Sequence, residues 1–113
     1  MPLIFRIYKI TCPTDGDSLT YYGSTMQTLQ QRFSMHKSSY KGWLKGKSNR
    51  DISSFRLFER YGAENCTITE IEKPATEQLM HARERYYIST FNCVNIMLNS
   101  KLYKKVNPDD DDT

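Results

Sequence analysis

Glu84 stands on a stripe of apolar residues. If residues 75–90 are helical, Met80, Tyr87, Ile88 and Phe91 share one face, and Glu84 falls in the middle of it. A carboxylate there is costly unless it is paired, protonated or bound to a cation, so either an arginine or a capping amide satisfies it or it is a metal ligand. His36 poses the same question in an earlier stripe, Met26, Leu29, Phe33 and Tyr40, where Arg32 lies four residues before it and shares its side of the helix. Tyr8 and Tyr21 occupy two extended segments separated by a turn. Tyrosine and histidine can move protons, arginine can hold non-bridging phosphate oxygens, and a carboxylate-held hard cation can stabilise developing charge. Together they are the parts needed to hydrolyse a phosphodiester.

Position depends on the elements that carry these residues. Residues 3–11 alternate in polarity and read as a strand; PTDGDS is dense in turn formers, and LTYYG resumes the extended pattern. A symmetric hairpin puts Tyr8 opposite Tyr21 and Arg6 opposite Gly23. Ser24 or Thr25 is expected to cap a helix running to about Tyr40, with Gly42 after it. GWLKGKSNR reads as a basic loop, Asp51 as the cap of a second helix, ISSFRLFERY, and Gly62 as its end. NCTITEIE is a third strand, Pro74 breaks it, and a third helix spans about Ala75 to Thr90. The order β-β-α-α-β-α describes an α+β fold, a small three-stranded, mostly antiparallel sheet flanked by helices. Residues 1–100 are expected to form one domain, and residues 101–113 a polar, acidic, disordered tail.

Composition narrows the partner. The 113 residues carry a formal charge of +3, with 16 basic and 13 acidic side chains, and four of the acidic ones are Asp109 to Asp112. Residues 32–60 hold Lys37, Lys41, Lys45, Lys47 and Arg50 together with Arg32, Arg56 and Arg60, against only Asp51 and Glu59. Such a stripe suits a polyanion, because neutralising phosphates releases condensed counterions. No apolar run approaches the roughly 18 residues of a membrane span, and the early Arg6 and Lys9 do not fit a signal peptide. Cys12, Cys66 and Cys93 are odd in number and widely spaced, which fits a reducing intracellular setting and not a zinc site.

The chain resembles the GIY-YIG nucleases. Arg6-Ile7-Tyr8 stands where GIY is expected and Tyr21-Tyr22-Gly23 where YIG is expected; LQQRFSMHK, SSFRLFERYGAENCTITEIE, ARERYYI and CVNIML continue the likeness over about residues 4–98. The resemblance implies divalent-cation-dependent DNA cleavage by in-line attack of water, leaving a 5′-phosphate. It assigns proton abstraction to Tyr8 with His36 polarising it, positioning of water or phosphate to Tyr21, charge stabilisation to Arg32, a Mg2+ or Mn2+ ion to Glu84, and ordering of the site to Asn95. The sequence departs from the family pattern in Arg6, which replaces the first glycine and could contact phosphate, and in Tyr22, which replaces an aliphatic residue. The second histidine of the phage homing enzymes is also missing from GKSNR. The rival reading is a catalytically impaired nucleic-acid-binding module on the same fold. The expected assembly is a monomer or weak dimer, with a separate protein supplying sequence specificity.

Overall fold

The computed structural model describes residues 3–13, 19–47 and 51–95. Arg50 and the 101–113 tail lie outside them. Strand β1 (Arg6–Thr11) is central, with β2 (Thr20–Thr25) and β3 (Thr67–Glu72) antiparallel on either side. Helices α1 (Leu29–Leu44), α2 (Phe55–Tyr61) and α3 (Glu77–Thr90) complete the β-β-α-α-β-α order. A 3-10 turn, Ala63–Asn65, lies between α2 and β3.

Alternation along β1 decides the layers. Tyr8 and Ile10 point to the face shared with Phe55, Leu57, Phe58 and Cys66, where Leu29, Phe33, Tyr40 and Trp43 of α1 close the core. α3 packs against β1 and β2. At seven residues α2 is too short to persist alone, and it is held by burying Phe55, Leu57 and Phe58, each worth about 1.5–3 kcal/mol. Tyr40 of α1 sits 5.3 Å from the rings of both Phe55 and Phe58, so the two helices meet through aromatic contacts.

The hairpin register differs from the symmetric expectation. Tyr8 pairs with Gly23 and Ile10 with Tyr21, while Arg6 lies opposite Thr25. A two-residue offset keeps every side chain on its face, so the tyrosines still share one. Its physical reason is Gly23: the Tyr8 ring lies over that backbone, where a Cβ would stand 2.5 Å from the phenol carbon and oxygen.

Helix limits shift for similar reasons. Ser24 and Thr25 belong to β2, and Thr28 caps α1 in a reciprocal capping box with Gln31. Tyr40 and Trp43 are both needed against α2, so α1 runs through Gly42. It closes in a Schellman turn, with Gly46 at φ +75°, its amide bonded to the Trp43 carbonyl and that of Lys47 to Gly42. Asp51 is an ion-pair partner of Arg56 at 2.9 Å, and Ser54 holds the N-cap position of α2. α3 begins two residues later than expected, capped by the Thr76 hydroxyl on the Leu79 amide.

Candidate active site

The site forms around β2, whose alternation sends Tyr21 and Gly23 to the α1 side and Ser24 to the α3 side. Tyr8 is fully buried, and its hydroxyl lies 2.8 Å from His36 Nε2. Arg32 donates from Nε to the same oxygen at 3.1 Å. These two α1 residues are one helical turn apart, so a single helix face delivers both to one phenol. Tyr21 completes an aromatic cluster, with its ring 6.3 Å from that of Tyr8 and 5.2 Å from the His36 imidazole, edge on.

His36 is 3 % exposed, and its Nδ1 lies 2.8 Å from the Ser54 hydroxyl. Burial and the Arg32 charge lower its pKa to about 4, so the imidazole is neutral at pH 7. Burial raises the Tyr8 pKa, and the Arg32 hydrogen bond opposes that rise without cancelling it; Tyr21 is raised too, again chiefly by burial. For Arg32, burial works against the charge, but the hydrogen bond to Tyr8 and the neighbouring phenols and carboxylate outweigh it, and the pKa goes up. The resting site therefore holds two phenols, a neutral imidazole and a guanidinium.

Glu84 reaches this cluster from the opposite layer. Its Oε1 accepts the Ser24 hydroxyl at 2.6 Å, and its negative charge raises the pKa values of Tyr8, Tyr21 and Arg32 alike. The apolar stripe expected around it is uneven: Met80 is buried, Tyr87 and Ile88 are half-buried, and Phe91 is exposed. Glu84 itself is half-buried and forms no ion pair among the described residues. No group of three His, Cys, Asp or Glu that could hold a metal occurs among them either. What Glu84 offers is one hard carboxylate with Oε2 uncommitted there, which fits a cation that keeps most of its other positions for water or phosphate oxygen.

Asn95 lies at the free edge of β2, away from the phenols. Its Oδ1 accepts the Tyr22 amide at 2.9 Å and its Nδ2 donates to the Tyr22 carbonyl at 2.6 Å, as a further strand would. That clamp holds the backbone between Tyr21 and Gly23. Tyr22 itself points to the other face and stacks on Tyr87 at 5.5 Å.

The basic residues divide. Arg6 binds Glu70 at 3.1 Å and the Gln27 carbonyl at 3.0 Å, tying β1 to β3 and to the approach to α1. Lys37 lies over the Phe33 ring, 4.5 Å from its centroid, and with Lys41, Ser34, Ser38 and Glu64 borders a groove along α1. Lys45 and Lys47 are exposed beyond the helix. A smaller opening beside the catalytic candidates is bordered by Arg32, Met35, His36, Ser39 and Ile52.

Two contributors were not singled out in the sequence as parts of the site. Ser24 alternates away from the tyrosines in β2, a signal a strand reading could supply. Ser54 carries none, because its role depends on how α1 meets α2.

No helix among the described residues is long and apolar enough to cross a membrane. No curated protein and no solved structure matches the chain. A family model, the GIY-YIG catalytic domain, matches residues 4–96, which include Tyr8, Tyr21, Arg32, His36, Glu84 and Asn95. The chain thus belongs to the GIY-YIG family, a family of nucleases.

Proposed function

We propose that this domain is an endonuclease that hydrolyses DNA phosphodiesters with Mg2+ or Mn2+. The observation that carries the reading is the Tyr8 hydroxyl held between His36 Nε2 and Arg32 Nε. A buried phenol alone is a poor base. Here its proton has a neutral acceptor 2.8 Å away, and the oxygen it leaves faces a fixed positive charge.

Attack then balances as follows. A water proton passes to Tyr8 Oη while the phenol proton passes to His36 Nε2; the water oxygen bonds to phosphorus, and the bond to the 3′-oxygen breaks, leaving a 5′-phosphate. The 3′-oxygen takes a proton from solvent, and His36, acidic at a pKa of about 4, returns its own to water. Arg32 uses Nε on Tyr8, and its two Nη groups, unbonded among the described residues, remain for phosphoryl oxygens. Tyr21 borders the water, and Asn95 fixes the strand that carries it. Glu84 would hold the cation, which supplies charge stabilisation at the phosphate. Neutralising Glu84 also removes one of the influences that keep the Tyr8 proton in place.

Tyr8 has no exposed surface in the free domain, so attack requires its surroundings to open and admit water to the phenol while Arg32 Nε stays on its oxygen. That closure favours the second reading, a domain that binds nucleic acid without cutting it. Lys37, Lys41, Lys45, Lys47 and Arg50 are the candidates for backbone contact in either case, and Arg6, with two partners already, is the weakest. The working assembly is a monomer or weak dimer acting inside the cell, with specificity supplied by another protein.

Incubation of the protein with an end-labelled duplex, with Mg2+ or Mn2+ and with EDTA, separates the two. Products bearing a 5′-phosphate that appear only with the cation support hydrolysis. A gel shift with intact DNA under every condition supports the binding module.

A further inference from the structure

Ser54 occupies the N-cap position of α2, where a serine hydroxyl ordinarily accepts a hydrogen bond from a first-turn amide. The hydroxyls of Thr28 and Thr76 do this at α1 and α3, but the Ser54 side chain makes no such bond. It is completely buried, and its oxygen lies 2.8 Å from His36 Nδ1. A stabilising cap has been given up, and the hydroxyl is aimed at the one imidazole that touches Tyr8.

A neutral imidazole carries one N–H, so two proton arrangements are open. In one, Ser54 donates to Nδ1 and Nε2–H donates to Tyr8. In the other, Nδ1–H donates to Ser54 and Nε2 accepts from Tyr8. The Arg32 guanidinium already donates to the Tyr8 oxygen. A cationic donor on a phenol oxygen strengthens that phenol as a donor and weakens it as an acceptor, so the second arrangement prevails. We infer that Ser54 is a positioning residue: it accepts the Nδ1–H of His36 and, together with Arg32 acting through Tyr8, fixes the tautomer whose bare Nε2 can take the Tyr8 proton. The tautomer follows from the geometry of the free protein, and its effect on cleavage rests on the nuclease reading.

The test uses 15N-labelled imidazole in the intact chain at about pH 7, with the signal of exposed His81 distinguished through a His36→Gln variant. The wild type is expected to show His36 protonated at Nδ1 and bare at Nε2. Ser54→Ala should populate the Nε2–H tautomer and lower kcat at least about tenfold with KM unchanged. Ser54→Thr, which restores the hydroxyl, should restore the Nδ1–H tautomer, and Ser54→Ala should have no further effect on cleavage in a His36→Ala background. An Nε2–H tautomer in the wild type, or a tautomer unmoved by Ser54→Ala, overturns the assignment. The wild-type spectrum decides even if Ser54→Ala does not fold. A tautomer set by Ser54 in a protein that cleaves no DNA overturns the nuclease reading and leaves the assignment of Ser54 standing.

Discussion

The Tyr8 phenol fills the space that a side chain at Gly23 would need: a Cβ there would lie 2.5 Å from both its Cζ and its oxygen. Tyr8 is enclosed on every side, so the ring cannot swing away. Gly23→Ala is therefore expected to destabilise the fold by about 1–3 kcal/mol and to pull the hydroxyl from His36 and Arg32. Urea melts and cleavage rates measure the two effects, and a variant of wild-type stability and rate would show that the ring is not confined.

Tyr8→Phe keeps the packed ring and removes only the oxygen. Turnover is predicted to fall at least about a hundredfold, the lower end for losing a positioned base, with the fold retained. His36→Ala should cost less, because water entering the vacated space can accept the proton in its place. Single-turnover cleavage compares them; full activity in Tyr8→Phe would move the role of base to Tyr21.

The same burial that lowers the His36 pKa makes stability depend on pH. The folded value of about 4 lies below the ordinary 6.5, so between them the unfolded chain binds more protons, and stability rises with pH. The contribution is complete above about 6.5 and is lost as pH falls through 4. Between about pH 7.5 and pH 5 it amounts to about 2 kcal/mol. Denaturant melts of His36→Gln should show a pH-dependence shallower by that amount, and equal slopes would refute the buried neutral imidazole.

How much could be read beforehand depended on the range of each interaction. Alternation placed Tyr8 and Tyr21 on one face, because side-chain parity is local. It could not choose between registers two residues apart, and that choice rested on the ring of Tyr8 meeting the backbone of Gly23. The cap at Thr28 was legible in the spacing Thr28-x-x-Gln31, but the nearer hydroxyls of Ser24 and Thr25 competed for it, and the pairing of Thr25 with Arg6 keeps them in the strand. The Arg32–His36 pair could be read from helical spacing. The engagement of Arg6 by Glu70, 64 residues away, and the aim of Ser54 at His36 arise only when separate elements pack.

Lys45 and Lys47 follow α1 as exposed, flexible point charges, and they are expected to touch DNA phosphates without reading bases. Replacing both with alanine should weaken binding similarly on unrelated sequences and lower the slope of log K against log salt by about 2. An unchanged slope would remove both from the interface.

Glu84 is where metal-dependent hydrolysis is most exposed to refutation. Glu84→Gln keeps the size and an oxygen for the Ser24 hydroxyl while removing the charge. Plasmid nicking by the wild type and by this variant should be followed with Mg2+, with Mn2+ and with EDTA, alongside DNA binding and thermal melts in EDTA. The predicted result is wild-type nicking that EDTA abolishes, a rate at least about a hundredfold lower in Glu84→Gln, and melting and binding close to wild type. Nicking that survives EDTA, or a Glu84→Gln protein that cuts at the wild-type rate, would contradict it.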